Sequence, residues 1–197
     1  MNDIDVSKIT DMSHLFDGYR NKIFKNFNGD ISRWDVSNVT NMSEMFWTCE
    51  KFNCDISNWN VSNVKNMGYM FYGCKQFNCD ISNWDVSNVE NMEYMFCECE
   101  KFNRDISNWD VSNVKNMAYM FCGCEQFNCD ISNWDVSNVE NIHYMFGRCR
   151  NFNQNLDKWD DKWNHSVYWF DAFFGCPGKA KWYDSGKHES HYVQKRY

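Results

Sequence analysis

The chain lacks any long uninterrupted run of apolar residues. No stretch reaches the roughly 18 apolar residues that a membrane-spanning helix needs, so we expect no membrane span. The N-terminal stretch MNDIDVSKITDM also lacks the basic and apolar segments of an export signal. The sequence therefore predicts an intracellular protein, with a cell-surface location as the alternative if the chain is a fragment.

Basic charge is also scarce. The chain has 20 Lys and Arg against 27 Asp and Glu, for a net charge of −7. Residues 176–197 carry a net +3, which leaves −10 for the rest. An acidic body repels nucleic acid, so we expect no nucleic-acid partner. The basic, aromatic tail at 179–197 has the composition of a single-strand binder, but its shortness favours a cap or a tail.

Disorder is excluded by what the sequence has in abundance. The mean hydropathy of −0.72 alone would suggest a disordered chain, but 18% of the residues are aromatic. Disordered segments are poor in aromatic residues because they cannot bury enough apolar surface to fold. The apolar residues also recur at fixed positions, so we expect a folded core.

The chain is organised by a repeat of 25 residues, represented by FNCDISNWDVSNVENMEYMFCECEK at 77–101. A strict period of this length is typical of a solenoid. We divide the chain into an N-terminal capping partial repeat (1–26), five repeats (27–151), a degenerate C-terminal cap repeat (152–178) and the basic aromatic tail (179–197). The copies begin at Phe27, Phe52, Phe77, Phe102, Phe127 and Phe152.

Within one copy, the spacing of apolar residues predicts two short elements. The alternation of Trp84, Asp85 and Val86 predicts a short strand with two inward side chains. The segment from Asn91 to Phe96 has apolar residues three and four apart, which predicts one or two helical turns capped by Asn91. The fold class we expect is an α/β repeat solenoid of about seven coils, with short parallel strands and short helical turns.

Polar positions that recur along the repeat predict contacts between neighbouring coils. We expect columns of stacked Asn to hydrogen-bond along the stack and to satisfy turn backbone. Positions 65, 90, 115 and 140 read Lys, Glu, Lys, Glu, which places opposite charges side by side on neighbouring coils.

The string FNxDISNWDVSNVxNMxxMFxxC resembles the 25-residue repeat of BspA-like leucine-rich-repeat surface proteins, a type abundant in mycoplasma lipoproteins. The resemblance covers residues 3–160. It implies a leucine-rich-repeat-like solenoid with roles in adhesion or protein binding. Surface members carry export or lipoprotein signals, and none is visible here. The resemblance brings no catalytic residues to this chain.

Two columns of side chains are candidate binding residues. The first column is polar and faces outward beside the predicted strand, where solenoids often bind partners. The second is aromatic, and exposed aromatic residues are good anchors for a protein partner. The alternatives are a solvated acidic face and rings that only cover the coil edges. The candidates are Asp35, Asn60, Asp85, Asp110 and Asp135 in the first column, and Tyr69, Tyr94, Tyr119 and Tyr144 in the second.

Metal binding is an alternative at two groups of residues. Cys97-x-Cys99 and Cys122-x-Cys124 bring four sulfurs near one another on adjacent coils, as zinc requires, although a helical segment would point each pair to opposed sides. The column of Asp30, Asp55, Asp80, Asp105 and Asp130 could bind calcium. We instead expect most of the 11 cysteines to be buried hydrophobes and the Asp column to cap turns. We therefore expect no metal and no cofactor.

The sequence does not predict an enzyme. The repeats run from 27 to 151 without an insertion, and none of the five His residues recurs at a repeat position. We expect a non-enzymatic protein–protein interaction module that presents a rigid repeated surface to an unidentified protein partner. The alternatives are a cell-surface adhesin and a zinc- or calcium-binding repeat protein.

Overall fold

Successive copies of the repeat lie side by side and in register in a computed structural model of the chain. The structure describes residues 1–163, 167–178, 180 and 183, so the predicted tail lies outside the described residues except for Ala180 and Tyr183. One column of residues is joined by parallel backbone bridges from coil to coil. The bridges are Asp11–Asn41, Asn41–Asn66, Asn66–Asn91, Asn91–Asn116, Asn116–Asn141 and Asn141–Tyr168.

Hydrogen bonds between coils are concentrated after the bridge. In the representative copy, every second N–H group of this segment donates to a carbonyl of the next coil, at 2.7–2.9 Å. The N–H groups between them close turns within their own coil, as Cys97 does onto the carbonyl of Tyr94 at 3.1 Å. The backbone therefore alternates between turns and bonds to the next coil. The donors to the next coil in this copy are Met92, Tyr94, Phe96 and Glu98.

The helical segment predicted from Asn91 to Phe96 is not formed. Tyr94 has φ +54° and Glu98 has φ +61°, which is left-handed backbone that a right-handed helix cannot contain. Two linked turns occupy the segment instead, and residues 27–151 contain no helix. The two 3₁₀-helices of the described chain, Lys22–Asn26 and Asp157–Trp159, flank the repeats.

The predicted strand at Trp84–Val86 does not pair with the neighbouring coil. The backbone N–H of Trp84 donates to Ile81 of its own coil at 3.1 Å, so it is not available to the next one. The side chains still point as predicted, because Trp84 and Val86 are buried and Asp85 is exposed. The indole Nε1 of Trp84 donates to the carbonyl of Ile56 at 3.1 Å and so links two coils.

The core consists of side-chain columns that run through the stack. The rings of Phe71 and Phe96 lie 5.7 Å apart, and equivalent Phe pairs recur along the chain. The same buried cluster extends from Val6 to Ala180. One coil leaves both sides of its ring column open, so each coil depends on its neighbours to bury them.

The predicted Asn columns are confirmed. The N–H of Asn53 donates to Oδ1 of Asn28 at 2.8 Å, and this contact recurs with every copy from 53 to 153. A second column donates from Nδ2 to a Ser carbonyl of the preceding coil, as Asn63 does to Ser37 at 2.8 Å. The predicted charge adjacency is also confirmed, by a 2.8 Å ion pair between Lys115 and Glu90.

Both ends of the stack depart from the regular spacing of the repeat. The bridge from Asp11 to Asn41 spans a longer stretch of chain than the bridges between the complete copies. The extra chain includes the 3₁₀-helix Lys22–Asn26, which Asn21 caps. At the other end, Phe173 packs 5.2 Å from Phe146.

None of the helices among the described residues has the length and apolarity that crossing a bilayer requires.

Candidate functional site

Two columns of left-handed residues lie on the same side of the stack. A left-handed residue reverses the direction of the chain at each turn, and here it leaves the side chain partly exposed beside its neighbours. The first column comprises His14, Glu44, Tyr69, Tyr94, Tyr119, Tyr144 and Asp171. The second comprises Thr48, Gly73, Glu98, Gly123, Arg148 and Gly175.

The predicted tyrosine column is a ladder of stacked rings. Ring centroids lie 4.5 Å apart between Tyr69 and Tyr94, and 4.3 Å apart between Tyr94 and Tyr119. Tyr144 continues the ladder at 5.2 Å with a tilted ring. Burial raises the pKa of Tyr69 to about 12 and raises that of Tyr94 as well. The phenols of Tyr69 and Tyr94 are therefore neutral at physiological pH and offer partly buried ring surface without charge.

Further aromatic side chains extend this ladder at both ends. Tyr19 stacks on Trp47 at 4.4 Å, and Trp47 lies 5.8 Å from Tyr69. At the other end, Phe174 stacks on Tyr144 at 5.4 Å. We call the whole surface the aromatic face. Its residues are Tyr19, Trp47, Tyr69, Tyr72, Tyr94, Tyr119, His143, Tyr144, Tyr168, Phe170 and Phe174.

His143 joins the ladder to the C-terminal cap. Its Nε2 is 2.8 Å from the hydroxyl of Tyr119, and its Nδ1 is 2.6 Å from the carbonyl oxygen of Phe170. The imidazole ring also stacks between Tyr168 and Phe170, at 5.0 Å and 5.9 Å. Because a carbonyl can only accept, Nδ1 carries the proton. In the neutral ring, Nε2 then accepts from the Tyr119 hydroxyl.

A charged group takes the place of a tyrosine at the N-terminal end. Nδ1 of His14 lies 3.0 Å from the Glu44 carboxylate and also contacts Arg20. Asp17, which is buried, lies 3.6 Å from His14 and accepts from the N–H of Arg20 at 2.8 Å. The guanidinium of Arg20 lies 3.5 Å from the Asp17 carboxylate and 3.8 Å from that of Glu44, so ion pairs of Arg20 hold this cluster together.

The predicted polar column, Asp35 to Asp135, is exposed and takes part in turns. Asp35 Oδ1 accepts from the N–H and the hydroxyl of Ser37, at 3.0 Å and 2.6 Å. Equivalent bonds to the Ser two residues later recur at Asn60, Asp85, Asp110 and Asp135. Through these hydrogen bonds, the side chains of the polar column stabilise turns. Among the described residues, none of these polar groups bonds to the tyrosine column.

The column from Asp30 to Asp130 also caps turns. Oδ1 of Asp55 accepts from the N–H of Ser57 at 3.0 Å and from its hydroxyl at 2.7 Å. The same backbone bond recurs in all five members. These bonds stabilise the ionised carboxylate and lower the pKa of Asp55, chiefly through the Ser57 hydroxyl. The carboxylates of this column therefore accept hydrogen bonds within their own turns, as the sequence predicted.

The four sulfurs proposed for zinc do not gather at one point. Cys99 and Cys124 are fully buried, and their thiols donate to the carbonyls of Phe71 and Phe96. Cys97 and Cys122 face the other side, and their sulfurs lie within 4.8 Å of each other. The mutual interaction of the two thiols lowers the pKa of Cys122 and raises the pKa of Cys97. A carboxylate oxygen of Glu98 and both sulfurs lie within 4.8 Å of one another.

Sequence reasoning missed an alternation in the second left-handed column. Glycine alternates there with a larger residue, so that Thr48 precedes Gly73 and Glu98 precedes Gly123. A Cβ at Gly123 would come 2.8 Å from the Glu98 carboxylate, which lies over that glycine. The sequence carries this signal as a second, doubled period, in Gly73 and Gly123. The structural unit of this face is therefore a pair of coils.

The family described as "Mycoplasma protein of unknown function, DUF285" matches the chain twice, over residues 1–100 and 79–174. The two matches overlap and together span the described coils, as expected for a repeat. No curated protein and no solved structure matches the chain. Because the two matches together cover residues 1–174, the chain belongs to the DUF285 family of mycoplasma-type repeat proteins.

Proposed function

We propose that the protein is a non-enzymatic protein-interaction module that binds its partner through the aromatic face. The observation that carries this proposal is the continuous row of rings across the stack, in which neighbouring centroids such as those of Tyr94 and Tyr119 are 4.3 Å apart. Large, rigid rings contribute binding energy at low cost in side-chain entropy. Exposed members at the C-terminal end, Phe170 at 54% and Phe174 at 51%, leave the face open to a partner.

We also propose that the stack is a leucine-rich-repeat-like solenoid of the BspA-like type. The 25-residue repeat string and the parallel bridges between coils support this assignment. Solenoids bind partners through extended, rigid surfaces, which is consistent with a module whose recognition residues are repeated. An adhesin role at a cell surface is the alternative that this resemblance favours.

The partner is a protein segment with basic and apolar side chains. The body of the chain is acidic, with a net charge of −10 outside residues 176–197. Glu93 directly precedes Tyr94 of the ladder, whereas Glu44 at its N-terminal end is already paired with Arg20. A partner with Lys or Arg flanking apolar residues would complement the rings and the acidic body.

Photocrosslinking followed by affinity measurement tests the proposal. A photoreactive phenylalanine analogue replaces Phe170 or Phe174 on the aromatic face, and Asn83, which is exposed, serves as the control position. We expect one protein from the source cells to crosslink at the first two positions only. If no protein is captured at Phe170 or Phe174, or if Asn83 captures the same one, the proposal fails.

A pair of matched variants then measures the contribution of the face. Tyr94→Asn with Tyr119→Asn removes two rings and retains a residue that tolerates left-handed backbone. Asp85→Asn with Asp110→Asn changes the polar column to the residue that Asn60 already provides. We expect the first variant to weaken binding of the purified partner at least tenfold and the second to leave it within about twofold. The reverse ranking would move the binding site to the polar column.

A further inference from the structure

The 11 cysteines fall into three groups by their hydrogen bonds, and one group stands apart. Six donate to a backbone carbonyl in the core: Cys49, Cys74, Cys99, Cys124, Cys149 and Cys176. Three accept from the N–H of an Ile on the preceding coil: Cys54, Cys79 and Cys129. The remaining pair, Cys97 and Cys122, lie on adjacent coils with their sulfurs within 4.8 Å of each other.

The position of this pair is not required by the repeat. Equivalent positions on the neighbouring coils hold Tyr72 and Gly147, so the coil accepts a large ring or no side chain there. Cys97 and Cys122 are nevertheless 3% and 7% exposed. Two thiols therefore share a nearly enclosed place at the edge of the aromatic face.

Glu98 supplies a third donor to the same place. Its N–H donates to the carbonyl of Cys122 at 2.7 Å, which fixes its backbone against the next coil. Its φ of +61° and the missing side chain of Gly123 let the carboxylate lie across the neighbouring coil. The backbone thus holds two sulfurs and one carboxylate oxygen within 4.8 Å of one another.

This donor set fits a thiophilic divalent cation. Zinc binds thiolates at about 2.3 Å and carboxylates at about 2.0–2.2 Å in tetrahedral geometry, which places donor atoms roughly 3.5–4 Å apart. Small movements of the side chains would bring the three donors to that spacing. The fourth position of a tetrahedral ion would remain open to water or to a side chain of a partner.

We propose that Cys97, Glu98 and Cys122 form a binding site for a thiophilic divalent cation of the zinc class. Binding replaces the thiol protons by the metal, and two protons are released to solvent when both sulfurs coordinate. This ligand set differs from the four-cysteine site that the sequence suggests. The side-chain donors also lie outside the hydrogen bonds that hold the coils together, so loading does not require unfolding.

Titration of the reduced full chain with Co²⁺ alone tests the site. Tetrahedral Co²⁺ bound to thiolates gives a sulfur-to-metal charge-transfer band and intense visible bands. We expect about one equivalent to bind with these bands, and Zn²⁺ to displace it. Absence of the thiolate bands in the full chain would overturn the proposal.

Variants assign the signal to the proposed donors. Cys97→Ser with Cys122→Ser should abolish the bands, and Glu98→Gln should weaken Co²⁺ binding at least tenfold. Cys54→Ser with Cys129→Ser, which changes two partly exposed thiols elsewhere, should leave both the bands and the affinity unchanged. Thermal unfolding without metal reports whether each variant is folded. On adding Zn²⁺, the native chain and the Cys54/Cys129 control should gain thermal stability. The Cys97/Cys122 variant should not. Bands that persist without Cys97 and Cys122, or vanish in that control, would contradict the assignment.

Discussion

The carboxylate of Glu98 lies across the α-carbon of Gly123 on the next coil. A Cβ added at Gly123 would meet the Glu98 carboxylate at 2.8 Å, closer than real Cβ contacts allow. Gly73, at the equivalent position two coils earlier, has a similar φ of +70° but would meet Thr48 at an ordinary 3.4 Å. The two glycines therefore share one backbone requirement and differ in a side-chain contact.

Gly123→Ala should destabilise the protein more than Gly73→Ala. Both substitutions place Ala in left-handed backbone at a cost of about 1–2 kcal/mol, but only the first displaces the Glu98 carboxylate. We expect the free energy of unfolding in urea to fall by about 0.5 kcal/mol more for Gly123→Ala, because the Glu98 carboxylate is the end of a flexible side chain and can move aside.

The Glu98→Ala background separates the two causes. There, the two Gly→Ala substitutions should cost the same, because no carboxylate remains to be displaced. If the two substitutions lower the free energy of unfolding equally in the native background, the Glu98 carboxylate moves aside without cost.

The indole of Trp84 connects two coils, whereas that of Trp47 has no such partner. Nε1 of Trp84 donates to the carbonyl of Ile56, while Nε1 of Trp47 is buried and has no hydrogen-bond partner. The carbonyl of Ile56 also accepts from the N–H of Trp59 at 3.1 Å, so the substitution removes one of its two hydrogen bonds, which costs about 0.5–1.5 kcal/mol. Trp84→Phe should therefore destabilise by that amount in urea unfolding.

Trp47→Phe is the matched control. It removes the same indole nitrogen from a place where that nitrogen is an unpaired buried donor, so the hydrogen-bonding part of the cost should be absent. A loss of stability as large as that of Trp84→Phe would show that ring volume, rather than the bond to Ile56, dominates both effects.

The period of the sequence was enough to predict which residues share a column, because equivalent side chains must meet when identical coils stack. The tyrosine ladder and the Asn53–Asn28 contacts follow from it. The helical interpretation of the segment from Asn91 to Phe96 was wrong for a physical reason. Two consecutive turns place apolar side chains three and four residues apart, just as a helix does, and Tyr gives no sign that its φ will be positive.

The ends of the aromatic face could not be predicted from the period. Tyr19 lies in the lengthened segment between Asp11 and Asn41, and the step from Asn141 to Tyr168 is also longer than one repeat. Where the chain between two bridges is longer than 25 residues, the sequence period no longer tells which column a residue joins. The proximity of Cys97 and Cys122 does follow from the period, because they occupy equivalent positions on adjacent coils. The period did not predict that the Glu98 carboxylate lies close to both sulfurs.

Acid should destabilise the stack through its turn-capping aspartates. Hydrogen bonds from the following Ser lower the pKa of Asp55, Asp80 and Asp105 below that of an unfolded chain. A carboxyl whose folded pKa is depressed contributes stability that is fully present above its unfolded pKa, about 3.9, and lost as pH falls through the folded value. Thermal midpoints should therefore be flat near neutral pH and fall below about pH 4.

An Asn variant tests the origin of this acid effect. Asn keeps the Oδ1 acceptor, as Asn60 shows by accepting from Ser62 at 3.2 Å, but it does not titrate. The triple variant Asp55→Asn, Asp80→Asn and Asp105→Asn should lose less thermal stability than the native chain between about pH 4 and pH 2. An unchanged acid response would assign the effect to other carboxyl groups.

The six core thiols should react only when the stack unfolds. Burial raises the pKa of Cys74, Cys99 and Cys124 well above the ordinary value, and each of these side chains is fully buried. Alkylation requires the thiolate and access to it, so N-ethylmaleimide should modify these three only through global opening. Mass spectrometry should find all 11 cysteines of the chain alkylated in denaturant. Under native conditions the partly exposed Cys54 and Cys129 should react far sooner than the core thiols, and modification of Cys99 at their rate would contradict the packing of the core.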